Sequence, residues 1–229
     1  MMDFKGVLLD LDDTLYDYKS VNKIALAYTF DQVSKSQHIS IEEVSKVFSI
    51  ARSQINTELN TTASSHNRLL YFQRMYEIWG VHPVRFSLET YEYYWSTLLD
   101  HIQVNDFVYD FLDSIRDKKI CILTDLTAHI QHRKLKKLNL EPYIDYLVTS
   151  EEAGREKPHP YMFMLAAQKM DLKTTELCMI GDNYEKDILG AQQLNIEAFW
   201  YNPLLKDVEL SENIHSFKSF DELVFVNRR

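Results

Sequence analysis

The sequence predicts an α/β fold, a Rossmann-like core on a parallel sheet with an all-helical cap domain inserted near its start. Three observations predict it. Short, nearly continuous apolar runs mark strands covered on both faces. From about residue 105 onward these runs alternate with helical patterns, as a parallel sheet with right-handed crossovers requires. The stretch 16–100 has helical spacing and no clear strand, and it is too long for a loop inside a compact domain.

The apolar runs expected as strands are Gly6 to Asp10, Lys119 to Leu123, Asp145 to Thr149, Leu177 to Gly181 and Ile196 to Trp200. Phe107, Val108, Phe111, Leu112 and Ile115 share one helical face, and Ala128 to Leu138, Tyr161 to Met170 and Tyr184 to Leu194 follow the same spacing. In the insert, Ile41, Val44, Phe48, Ala51 and Ile55 step by three or four. Leu69, Phe72, Tyr76 and Trp79 do the same, with Gly80 as a helix stop. Asn139 and Asn195 follow helices and are expected to end them in the left-handed conformation. The expected division is 1–15 with 101–229 as the catalytic core, and 16–100 as the cap.

Composition narrows the function. The chain has 229 residues, 45% hydrophobic and 26% charged, so it can bury a sizeable core. Its net charge of -9 and pI near 5.4 come without a basic block, which argues against a general nucleic-acid binder. Arg133, Lys134, Lys136 and Lys137 are expected to be the solvated face of one helix. Cys121 and Cys178 lie inside apolar runs and are expected to be buried free thiols, and the absence of a Cys-x-x-Cys pair argues against structural zinc. The first residues do not have the pattern of a signal peptide, and no apolar run approaches the roughly 20 residues of a membrane span. The expected setting is a reducing cytoplasm, with no membrane or nucleic-acid partner.

Four segments carry chemistry. Val7-Leu-Leu-Asp-Leu-Asp-Asp-Thr-Leu15 ends a strand in Asp10 with a second carboxylate, Asp12, two residues on, where open parallel sheets place their ligands. Ile120-Cys-Ile-Leu-Thr-Asp125 ends a strand in the hydroxyl of Thr124, which can hold a phosphate oxygen or cap the next helix. In Glu151-Glu-Ala-Gly-Arg-Glu-Lys-Pro-His-Pro160, Lys157 can neutralise phosphate and keep nearby carboxylates ionised. Met179-Ile-Gly-Asp-Asn-Tyr-Glu-Lys-Asp187 places Asp182 after a strand and Asp187 on the next helix, hard oxygen donors suited to magnesium.

In order and spacing these segments resemble the four signature motifs of the haloacid dehalogenase superfamily. The helical insert is similar to that of its subgroup with a small helical cap. The resemblance implies a magnesium-dependent phosphohydrolase acting on a small phosphorylated substrate. Asp10 is then the nucleophile that forms an aspartyl-phosphate, and Asp12 the general acid and base. Thr124 and Lys157 bind phosphate, and Asp125 stands beside them where close relatives carry Asn. Asp125 either faces the phosphate or, as the favoured expectation, caps the helix starting near Ala128. Magnesium would be held by Asp10, the backbone carbonyl of Leu11 and Asp182, with Asp12 counted among the metal-site acids and Asp187 in support. Haloacid dehalogenases proper lack the second carboxylate, so Asp12 argues for phosphate. A phosphomutase or a catalytically idle binding member are the alternatives. The cap resembles those of relatives acting on nucleotides or on sugar and acylneuraminate phosphates. His66, Arg68 and Tyr71 are the cap residues placed to discriminate substrates, while most aromatics between Tyr71 and Trp95 are expected to form cap core. A monomer or homodimer is expected.

Overall fold

The computed structural model describes residues 4–204, 206 and 208–224. The chain divides into two compact units, one of Met1–Asp17 with Gln103–Arg229 and one of Tyr18–Ile102.

The first unit is a six-stranded, all-parallel sheet in the order β3-β2-β1-β4-β5-β6. Its strands are β1 (Gly6–Leu9), β2 (Lys119–Thr124), β3 (Tyr146–Thr149), β4 (Leu177–Gly181), β5 (Glu197–Tyr201) and β6 (Ile214–Phe217). Every residue of β1 is buried, as a strand covered on both faces must be. The amide of Asp10 donates to the Ile180 carbonyl at 2.9 Å, so the ladder runs one residue past β1 and pins Asp10 at the strand end. Leu8, Cys121 and Met179 pack with Met162, Phe163 and Ala166 in one apolar cluster. A methyl on Gly6 would meet Met170 at 2.6 Å, which explains the bare backbone there.

The crossovers carry α5 (Val108–Ser114), α6 (Ala128–Lys137), α7 (Ser150–Ala153) and α8 (Pro160–Met170). The helix expected over 184–194 is a π-helix from Tyr184 to Leu189 that runs into a short α9 (Gly190–Gln192). Asn139 (φ 50°) and Asn195 (φ 55°) are left-handed, as helix-ending residues with short polar side chains can be. β6 was not expected, because its buried residues Ile214 and Phe217 stand three apart, neither an alternation nor a run.

The second unit holds α1 (Tyr18–Gln37), α2 (Ile41–Glu58), α3 (Arg68–Trp79) and α4 (Pro83–His101). Ser40 caps α2 by accepting the Glu43 amide, and Gly80 (φ 66°) ends α3. The apolar stripes meet in an aromatic core. Phe48 lies 5.2 Å from Phe30 and 5.4 Å from Phe72, and Tyr94 lies 4.9 Å from Trp95, between ring centres. Such pairs contribute roughly 0.5–1.5 kcal/mol each beyond area burial.

Both cysteines are buried free thiols, and burial pushes the Cys121 thiol up to about 12, which makes it a poor nucleophile. Among the described residues no helix is long and apolar enough to cross a membrane.

Candidate active site

The C-terminal ends of β1, β2 and β4 converge on Asp10. Its Oδ1 accepts from Lys157 Nζ at 2.5 Å, and its Oδ2 accepts the Thr14 hydroxyl at 2.9 Å. Lys157 Nζ also lies 2.7 Å from Asp187 Oδ1 and donates to the Leu123 carbonyl at 3.0 Å, so the ammonium ties β1, β2 and the π-helix together. Thr14 Oγ1 accepts the Asp182 amide at 3.0 Å and thereby fastens the β4 loop to the β1 loop. Carboxylate oxygens of Asp10, Asp182 and Asp187 all lie within 4.8 Å of one another. Burial raises the Asp10 carboxyl well above the usual range. Lys157 pulls it back, and the neighbouring Asp187 and Asp182 push it up further. For Lys157 burial disfavours the charge, but Asp10 and Asp187 outweigh it and hold the ammonium protonated.

Asp12 sits in a separate electrostatic setting. Fully buried Lys134 reaches its two oxygens at 2.7 and 2.8 Å, and the Tyr16 hydroxyl donates to the same carboxylate. Burial alone would raise the Asp12 carboxyl, but Lys134, with hydrogen bonds from Tyr16 and Gln131, brings it below the usual range. Lys134 was expected on a solvated helix face, and that expectation is wrong for this residue. α6 turns Lys134 and Gln131 inward while Lys136 and Lys137 stay exposed. The lysine is indistinguishable by type from its charged neighbours, and only its spacing with Ile130, Gln131 and Leu135 signals an inward stripe. Gln131 Nε2 donates to Thr124 Oγ1 at 2.6 Å and to the Asp125 carbonyl at 2.8 Å, with a longer contact of 3.4 Å to Asp12.

Asp125 neither caps α6 nor stands as an unpaired acid. Its Oδ1 accepts the Lys157 amide at 3.1 Å and its Oδ2 pairs with Lys186 Nζ at 2.8 Å. The cap comes from Glu151, whose carboxylate accepts the Ala128 amide at 2.8 Å. The favoured expectation fails because a cation from the π-helix is within reach, and a charged partner outweighs one neutral amide. The Leu11 carbonyl accepts the Leu15 amide at 3.0 Å. The Asp12 side chain is not part of the acidic cluster.

The family described as haloacid dehalogenase-like hydrolase matches residues 7–201. The chain belongs to that family. It is 33% identical over 202 residues to the ribulose-1,5-bisphosphate 5-phosphatase of Halopiger xanaduensis, covering 86% of this chain and 84% of that one. It is 26% identical to the pyrimidine 5'-nucleotidase PynA of Streptococcus pneumoniae over 88% of this chain and 85% of that one. The 2-haloacid dehalogenase of Pseudomonas syringae pv. Tomato has the same fold, with a TM-score of 0.79, 21% identity and 96% of each chain covered. This haloacid dehalogenase-like hydrolase is of the phosphatase kind.

The acidic cluster of this hydrolase suits a cation. Asp10, Asp182 and Asp187 bring three carboxylates against the one ammonium of Lys157, and all the donors are hard oxygens. Gly181 makes room for this cluster, since a Cβ there would fall on the Asp187 carboxylate.

The three residues expected to discriminate substrates differ in placement. Tyr71 is fully buried, with its hydroxyl 2.7 Å from Asn56 Oδ1 and 2.5 Å from the Ser65 carbonyl, so it belongs to the core of the helical unit. His66 is half-buried, and its carbonyl accepts from Arg68 at 2.6 Å. Arg68 is buried among tyrosines.

Proposed function

We propose that this hydrolase is a magnesium-dependent phosphomonoesterase acting on a small phosphorylated metabolite, a sugar phosphate or nucleotide, through an aspartyl-phosphate on Asp10. The observation that carries the reading is the separation of the two leading carboxylates. Asp10 sits with Lys157, Asp182 and Asp187, while Asp12 is held apart by Lys134. Two acids in different settings suit two roles.

In the first half-reaction an Asp10 oxygen attacks phosphorus and the ester P–O bond breaks, while Asp12, ionised in the free protein, takes up a proton on substrate binding and passes it to the leaving oxygen. In the second, Asp12 removes a proton from water, whose oxygen displaces the Asp10 carboxylate from phosphorus and leaves inorganic phosphate. Lys157 offsets the repulsion between Asp10 and the phosphate. Magnesium held by Asp10 and Asp182, with Asp187 in support, would supply further positive charge to the transferring group. Thr124, oriented by Gln131, and Lys157 bind phosphate oxygens, while Asp125 braces the Lys157 loop.

Asp12 separates this reading from a carbon–halogen hydrolase, which has no leaving group to protonate. The two relatives act on a sugar bisphosphate and on nucleotides by their names, which supports the substrate class proposed. A free small molecule is the expected partner, taken up by a monomer or homodimer in a reducing cytoplasm.

The test is hydrolysis of p-nitrophenyl phosphate by the purified protein. Turnover is expected with magnesium, lost with EDTA, restored on adding magnesium back, and absent in Asp10→Asn. Full turnover in metal-free buffer, or by Asp10→Asn, would overturn the mechanism.

A further inference from the structure

Three residues of the site each have a charged neighbour in the chain. Asp125 follows Thr124, Glu156 precedes Lys157 and Lys186 precedes Asp187. The fold gathers these three neighbours into a second cluster. Lys186 Nζ lies 2.8 Å from Asp125 Oδ2 and 3.2 Å from Glu156 Oε2. Glu156 is buried, and Asp125 and Lys186 are half-buried. A charge left alone in such a setting is screened less than one at the surface.

The second cluster is joined to the first through the backbone. Asp125 Oδ1 accepts the Lys157 amide at 3.1 Å, and the Lys157 ammonium reaches Asp10 at 2.5 Å and Asp187 at 2.7 Å. Lys186 is itself held, since its amide donates to Asn183 Oδ1 at 3.0 Å and the Asn183 amide donates to Asp187 Oδ2 at 3.0 Å. The two oxygens of Asp125 thus have different tasks. One braces the lysine loop, and the other meets a cation. An acid so near the residues that bind phosphate opposes an incoming dianion. Asparagine would brace the loop without that repulsion. The acid therefore calls for a partner cation, which Lys186 supplies. Glu156 shares the same ammonium, so loss of Lys186 would leave this cluster two acids and no cation.

We propose that Lys186 is a positioning residue for phosphate binding that acts through Asp125. It cancels the charge of the acid that braces the Lys157 loop, so that the brace does not repel the phosphate of the substrate. The inference rests on the phosphomonoesterase reading and adds to it a residue that touches neither the phosphate nor the acidic cluster.

The experiment measures kcat and KM on p-nitrophenyl phosphate, and the inhibition constant of inorganic phosphate, for the parent, Lys186→Met, Lys186→Arg and Lys186→Met/Asp125→Asn. Lys186→Met is expected to raise KM and the inhibition constant about tenfold and to keep kcat within about threefold. Lys186→Arg should recover most of the loss. The double variant separates charge from packing, because asparagine keeps an acceptor for the Lys157 amide and carries no charge. Its KM and inhibition constant should return to within about threefold of the parent values. A double variant as weak as Lys186→Met would mean that Lys186 only braces the loop. Unchanged phosphate affinity in Lys186→Met would mean that its pairs are structural. Either result overturns the proposal. If Lys186→Met does not fold, Lys186→Gln carries the same comparison, with the same recovery expected on adding Asp125→Asn.

A second arm, thermal stabilisation by inorganic phosphate in the presence of magnesium, does not need turnover. Stabilisation should weaken in Lys186→Met and return in the double variant. Should the parent hydrolyse no ester, the phosphomonoesterase reading fails, and this arm alone decides the role of Lys186. No weakening there, or no return, overturns it.

Discussion

Lys134 and Asp12 form a pair in which neither member can be removed without stranding the other. Lys134 is fully buried against the carboxylate, and Asp12 relies on Lys134 to stay ionised in spite of burial. Lys134→Met is expected to cost about 3 kcal/mol in urea unfolding at pH 7, the usual scale for breaking a buried pair. The pH dependence follows from the depressed Asp12 value. Its contribution is complete above the unfolded carboxylate pKa near 4 and is lost as pH falls through the lower folded value. The stability gap between parent and Lys134→Met should therefore close in acid, and a gap that widened there would contradict the pairing. In kinetics, the loss should fall on kcat by about tenfold or more, with KM little changed, because the proton-transfer group loses its fixed position. Asp125 makes a contrasting case. Asp125→Asn keeps an acceptor for the Lys157 amide and should hold kcat within about threefold. Asp125→Ala removes the brace from the Lys157 loop and should lose more, with a lower Tm by differential scanning fluorimetry.

At the scale of elements, the close contact at the end of β4 is the most exposed to a small change. A Cβ on Gly181 would occupy the space of the Asp187 carboxylate, which the π-helix brings back against the strand. Gly181→Ala is expected to cost about 1–3 kcal/mol by overpacking and to raise the magnesium concentration needed for half-maximal turnover. Unchanged magnesium dependence would show that Asp187 does not support the metal site. Elements of this kind set the limit of what the sequence conveys. β1, β2 and β4 were legible because strands buried on both faces leave continuous apolar runs, and those runs end in the acids and hydroxyl of the site. The π-helix was not legible as such, since one extra residue per turn leaves the apolar pattern nearly unchanged over six residues. The inward side of α6 was hidden for a different reason. Charge normally reports exposure, and at Lys134 it reports a partner 122 positions away, on another strand's loop.

At the scale of the whole molecule, the division between the units lies at Asp17/Tyr18 and Ile102/Gln103, where no glycine or proline announces it. The boundary was legible only as the point where strand patterning stops and helical patterning begins. The helical unit has its own aromatic core of Phe30, Phe48, Phe72, Tyr94 and Trp95. A fragment of residues 18–102 is therefore expected to fold by itself, with a helical circular dichroism spectrum and a single cooperative urea transition. A spectrum without helical minima would show that its core needs the other unit.

The central position of β1 bears on how the protein is made. Its ladder partners begin at Lys119 and Leu177, so β1 leaves the ribosome with no ladder partner until more than a hundred further residues have been synthesised. The helical unit emerges in that interval, and its contacts are local enough to form while translation continues. The nascent chain thus carries a folded helical body and, upstream of it, an unpaired apolar segment that pairs on one side when β2 emerges and on the other only with β4. Asp10, on the tip of that strand, is synthesised well before the strands that come to enclose it.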